Sequence, residues 1–192
     1  MKSTILVLTG LLVAAASPPR AELKLGEVVP DIEFKAYDGK EYKLSDYRAN
    51  PDKKTEGQIV VVYFQSEHCP AAIDPELVKK ITASWNDPKA GVKVVALFAY
   101  PNDNEKAIEK FIGAHKIPYT CAWDTEKKLR DHFGAKQVNT TYVLDKTGKL
   151  VYRGGFAAMK GTKTATKETV VEAVKAAKDG TEAPKSDGRF AG

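Results

Sequence analysis

The spacing of apolar residues changes several times along the chain, and each change marks a predicted element. In PDIEFKAYDGKEYKLSDY, Pro30 to Tyr47, apolar and polar positions alternate on either side of Asp38-Gly39. Alternation gives a strand one wet face, and Asp-Gly is a two-residue hairpin turn, so two short strands are predicted here. The polar stretch Arg48 to Gln58, carrying Pro51 and Gly57, reads as a surface loop. The run Ile59 to Phe64 is then apolar at every position, the pattern of a strand covered on both faces.

A helix is predicted next. Asp74 suits the cap, Pro75 the first helical position, and Glu76 the positive end of the helix dipole. Leu77, Ile81 and Trp85 recur at helical spacing with Val78 beside them. Because Pro75 disfavours helical geometry at Asp74, the helix either begins there or continues, with a kink, from a turn that starts near Cys69.

GVKVVALFAY reads as a second buried strand, and NEKAIEKFIGAHK as a helix turning Ala107, Ile108, Phe111 and Ile112 inward. IPYTCAW reads as a short strand and TEKKLRDHFGA as a short helix closed by Gly134. VNTTYVLD and KLVYRG form a hairpin through Lys146 to Gly148, and KETVVEAVKAAKDG is an amphipathic helix stopped by Gly180. Strands alternating with helices, finished by a hairpin and a helix, predict one α/β domain in three layers.

The ends of the chain read differently. Lys2 precedes an apolar run from Ile5 to Ala16, followed by small residues and two prolines, the layout of a secretory signal peptide. Cleavage is expected after Ala16 or Ala21; left uncleaved, the segment would be a membrane anchor, the only membrane contact expected. The predicted organisation is a leader over 1–21, a domain over 22–180 and a mobile tail over 181–192, with a periplasmic or secreted destination. The 30 Lys and Arg against 25 Asp and Glu give a net charge of +5, spread without a basic block. With no aromatic-basic interleaving and no recognisable motif, nucleic acid is not an expected partner.

Export permits disulfides, but the chain has 2 cysteines, Cys69 and Cys121. Cys121, in PYTCAWD, reads either as a small buried hydrophobe or as a disulfide partner. Cys69 stands in YFQSEHCP directly after the first buried strand, where a helical turn beginning beside it would favour the thiolate. His68 is its neighbour, either an exposed loop histidine or an aid to the thiolate that Glu67 opposes. His115 and His132 fall on different helices, and no metal site is predicted. Asn139-Thr140-Thr141 matches a glycosylation sequon but lies in a predicted buried strand and is read as strand.

Four stretches together resemble the thioredoxin-fold redoxins: GEVVPDIEFKAYDGKEYKLSDY, VVVYFQSEHCP, VKVVALFAY and TTYVLDKTGKLVYRGG. These redoxins comprise the peroxiredoxins of the alkyl hydroperoxide reductase and thiol-specific antioxidant family and the exported thioredoxin-like disulfide reductases. The likeness runs from about residue 25 to 178. It implies a thioredoxin-like fold, with a central mixed sheet, helices on both faces and an N-terminal β-hairpin. It also implies that Cys69 is the nucleophile, with Ser66 standing where peroxiredoxins carry Thr or Ser three residues earlier.

This chain departs from the pattern at three places. Ala72 occupies the second cysteine's position in the reductases, Val62 the position of an early proline in the peroxiredoxin motif, and Asn139 the position of a cis-proline or an arginine. The resemblance therefore implies an exported single-cysteine thiol peroxidase or thiol-disulfide oxidoreductase. Cys69 and Ser66 would be its catalytic residues, and Pro70, Asn139 and His68 would lie against the substrate. The substrate would be a small peroxide or a protein disulfide, and an external thiol would act as reductant, with no cofactor. The alternative is a thioredoxin-fold module that has lost catalysis and serves binding or assembly, the reading that Ala72 and Asn139 favour.

Overall fold

A computed structural model describes residues 23–69, 74–124, 126–160 and 164–184. The predicted leader over 1–21, Pro70, Ala72 and tail residues 185–192 lie outside the described residues. No helix among the described residues is long and apolar enough to cross a membrane.

The Asp38-Gly39 turn joins β1 (Glu33–Lys35) to β2 (Glu41–Lys43), antiparallel as the alternation predicts. The apolar runs become β3 (Ile59–Gln65) and β4 (Val92–Phe98), paired in parallel from Ile59 opposite Val92 to Gln65 opposite Phe98. β5 (Thr120–Trp123) lies parallel beside β4. On the other side of β3, β6 (Thr140–Leu144) and β7 (Leu150–Gly155) run antiparallel, giving the order β5-β4-β3-β6-β7.

Every residue of β3 is buried, because the sheet is covered twice. Ile59, Val61 and Tyr63 face α1 (Pro75–Thr82), α2 (Glu105–His115) and α4 (Thr169–Asp179), through Val78, Ile81, Ile108, Val170, Ala173 and Val174. Val60, Val62 and Phe64 face α3 (Lys128–Phe133) and the N-terminal hairpin, through Leu129, Phe133, Phe34 and Leu44. This is the predicted mixed sheet with helices on both faces.

Helix ends follow their side chains. Asp74 accepts a hydrogen bond from the Glu76 N–H, and Pro75 occupies the first turn, as predicted. Gly134 and Gly180 close α3 and α4 in the left-handed conformation. Two local expectations need correction. α1 ends at Thr82, and Trp85 reaches the core from a separate 3-10 turn rather than from the same helix. Between β7 and α4 the chain adds a small antiparallel ribbon, β8 (Ala158–Lys160) with β9 (Thr164–Lys167), which no periodicity announced.

Candidate active site

Because β3 and β4 are parallel neighbours in register, the loops that leave their C-terminal ends emerge side by side. The chain moves outward from β3 to β4 and β5, then crosses back to β6 on the opposite side of β3. The strand order therefore reverses at β3, and the crevice at such a reversal is where α/β sheets place ligands. Cys69 sits in the loop that leaves this strand end.

A buried carboxylate fastens that loop. Ser66 Oγ donates to Asp103 Oδ1 over 2.7 Å, and both residues are buried. The other oxygen, Asp103 Oδ2, accepts the Tyr100 N–H at 3.1 Å, while Ser66 Oγ accepts the His68 N–H at 3.3 Å. One carboxylate thus joins the loop after β3 to the loop after β4. Two charge-assisted bonds offset the cost of burying it.

This geometry changes the reading of Ser66. A hydroxyl has one proton, and in this structure that of Ser66 is directed at Asp103, so Ser66 fastens the Cys69 loop.

His68 is exposed and its Nε2 lies 2.8 Å from Glu67 Oε1, so the two side chains expected to act in opposite senses on Cys69 are paired with each other. Cys69 itself is partly exposed and is a free thiol, as is the buried Cys121. Cys121 has the character of a small hydrophobe: burial pushes its thiol up to about 12. No disulfide joins the two.

Asn139 enters from the other side of β3. It precedes β6 in the left-handed conformation, φ 65°, with its N–H donating to Phe64 O at 2.7 Å and its carbonyl accepting from Phe156 N at 3.3 Å. The strand that was predicted to contain it begins one residue later, at Thr140. Asn139 is buried and held at the end of β3 that leads to Cys69.

Sequence reasoning missed Asp103, Tyr100 and Arg130. The Tyr100 ring packs on the second core layer, and its buried hydroxyl has no hydrogen-bond partner among the described residues. Burial raises the pKa of this hydroxyl well above the ordinary tyrosine value; Arg130 pulls it down, while Tyr142, Asp103 and Cys69 push it up. At neutral pH the hydroxyl is therefore a proton donor within electrostatic reach of Cys69. The only linear signal was AYPND directly after an apolar run, a loop at the same sheet end as the cysteine.

The model of the AhpC/TSA family matches residues 25–153. A chloroplastic peroxiredoxin Q from Suaeda salsa is 31% identical over 153 residues, covering 73% of this chain and 64% of that protein. Peroxiredoxin Bcp from Bacillus subtilis (strain 168) is 26% identical over 169 residues, covering 82% and 96% respectively. Among solved structures, a hypothetical protein from Sinorhizobium meliloti 1021 superposes with a TM-score of 0.73 at 19% identity, over 86% of this chain and 90% of that one. The match thus spans less than two thirds of the length of the chloroplast relative. The shared fold is the thioredoxin-like one.

Proposed function

The chain belongs to the AhpC/TSA family, and from that membership we propose that it is a single-cysteine thiol peroxidase with Cys69 as its nucleophile. The observation that carries this reading is the contrast between the two thiols. Cys69 is partly exposed on a loop fastened by Ser66 and Asp103, whereas Cys121 is buried with its proton held to about 12. The names of the peroxiredoxin relatives support peroxide as the substrate.

In this reading the Cys69 thiolate attacks a terminal peroxide oxygen. The S–O bond forms, the O–O bond breaks, and an alkoxide or hydroxide leaves and takes a proton from water. The cysteine is oxidised to a sulfenic acid and the peroxide is reduced. With Ala72 at the second cysteine's position and Cys121 buried, an external thiol displaces water from the sulfenic acid. A second thiol then releases Cys69 and leaves as a disulfide. Asn139, His68 and Pro70 border the substrate, and the chain works after export, which the run Ile5 to Ala16 behind Lys2 supports.

The test is hydrogen peroxide consumption with a small thiol as reductant. Cys69→Ser should abolish it and Cys121→Ser should leave it. Unchanged consumption in Cys69→Ser would sink the claim. A wild-type thiol that ignores both peroxides and disulfides would instead favour the binding or assembly module, for which Ala72 and Asn139 speak.

A further inference from the structure

We infer that Lys93 and the aromatic side chains around it form a second binding site, for a small planar carboxylate, at the end of the sheet away from Cys69. The site does not depend on the proposed role of that cysteine.

Three observations carry it. The first is a cavity of about 370 Å³ at the start of β4, with Tyr42, Tyr47, Trp85 and Tyr119 among its walls. Lys93 is the one charged residue among the described ones that line it. A second hollow of about 490 Å³ shares Tyr42, Lys93 and Tyr119 with the first. Both are of a size that holds small organic ligands. The room exists because β5 pairs with β4 from Val95 onward, which leaves Val92 to Val94 on an outer edge of the sheet.

The second observation is the state of Lys93. Its Nζ lies 4.9 Å from the centre of the Tyr42 ring and 5.6 Å from that of Tyr47. No hydrogen bond or ion pair holds this ammonium among the described residues. Aromatic faces attract a cation but offer no lone pair to its three N–H donors. A lysine that merely covered the rings would keep its head in water. Here burial lowers the pKa of the ammonium, against the field of Asp38 and with that of Lys40.

The third observation is that the one acid among those groups is already engaged. Asp38 accepts the Tyr42 hydroxyl at 2.5 Å and the Lys40 N–H at 3.0 Å. The fold therefore supplies the cation and its aromatic walls, and no anion bonded to it.

These features select a ligand class. A carboxylate at Lys93 would form a charge-assisted bond in surroundings drier than bulk water, where such bonds are stronger. A ring attached to it would lie against the tyrosines. A ringless anion gains the first contact alone, and a neutral ring the second alone. Phe98, at the end of β4 nearest the Cys69 loop, is five residues beyond Lys93, roughly 16 Å along the strand. A small ligand held at Lys93 thus stands clear of the thiol.

The experiment is titration of the full chain, its lysines labelled with carbon-13, with 2-naphthoate, 2-naphthamide and acetate, followed by calorimetry and NMR. The naphthoate should bind, and the amide, with the same ring and no charge, should bind about tenfold more weakly. Acetate should be the weakest. Naphthoate should also raise the pKa of Lys93, because a bound anion favours the charged form. Lys93→Met should remove the preference for naphthoate over the amide, and Lys93→Arg should keep it. No binding of naphthoate overturns the inference, and so does equal binding of the two ring compounds. Binding that leaves the Lys93 signal unmoved, or a preference that survives in Lys93→Met, places the ligand elsewhere and overturns it too. Should Lys93→Met fail to fold, the lysine signal and the comparison of ligands in the unaltered protein still decide.

Discussion

The Ser66 hydroxyl donates a hydrogen bond to Asp103 at 2.7 Å, across 37 residues of sequence and inside the protein. This bond makes two separate loops behave as one. The loop carrying Cys69 follows β3, the loop carrying Tyr100 follows β4, and the carboxylate holds one with each oxygen. A cysteine on a loose loop would sample many orientations, and a catalytic group needs one. In this chain a serine and an aspartate tie the two loops together, while Asn139 stands where the resembling families carry a proline or an arginine.

The bond predicts strong coupling between its partners. Ser66→Ala leaves one oxygen of a buried carboxylate without its donor, and Asp103→Ala leaves both the Ser66 hydroxyl and the Tyr100 N–H without an acceptor. Each single change is expected to cost about 1–3 kcal/mol, with the double change costing well under the sum. Chemical denaturation of the four proteins checks this, and additive losses would show that the two side chains act independently.

The two thiols should be chemically distinguishable in the native protein. Cys121 is buried between the sheet and its helices with its thiol held to about 12, so it stays protonated and unreactive at neutral pH. Alkylation should therefore modify Cys69 alone until denaturant exposes Cys121, which then labels at the rate of an ordinary thiol. Fast labelling of Cys121 in native buffer would contradict its burial.

Alkaline stability has a definite sign. Burial raises the pKa of Cys121, and it also raises Tyr63 and Tyr119, whose hydroxyls meet at 2.8 Å. An unfolded chain releases these protons near the ordinary values, about 8.5 for cysteine and about 10 for tyrosine. Their contribution to stability is thus fully present below about pH 8.5 and is lost as pH rises toward the folded values, because the unfolded state then binds fewer protons. The denaturant midpoint should be level near neutrality and fall from about pH 9 upward, with Cys121→Ala shallower in the first part of the fall. A midpoint level to about pH 11 would be evidence against these shifts.

Much of this architecture was legible in the chain, because its elements declare themselves locally. The continuous runs at Ile59 and Val92 became the two central strands, and Asp38-Gly39, Asp74-Pro75, Gly134 and Gly180 marked turns and helix ends where their geometry requires them. Cys69 was visible as a candidate for the same reason, standing where an apolar run stops. Asp103 and Tyr100 were not, since nothing in AYPND says which strand lies beside β4. Only the parallel register of β3 and β4 brings that loop to Ser66. The β8–β9 ribbon was missed because its strands have only three and four residues, too few for an alternation to show.

The departure at Asn139 has a backbone consequence that can be tested. Reductases of the resembling group carry a proline here, yet Asn139 holds φ at 65° and uses its N–H to bind Phe64 O at 2.7 Å. Proline fixes φ near −65° and has no N–H, so Asn139→Pro requires both the turn and the bond to Phe64 to be given up, a cost of about 3 kcal/mol or more. Glycine adopts the left-handed region freely and keeps the N–H, so Asn139→Gly should be clearly the milder change. Thermal unfolding of the two variants orders them. If proline proved the milder, the segment before β6 would have to reorganise, and the tie between β3 and β6 would not depend on this turn. The expected order instead means that this position needs a residue that accepts the left-handed conformation and keeps its N–H, whatever the Asn139 side chain contributes to the substrate.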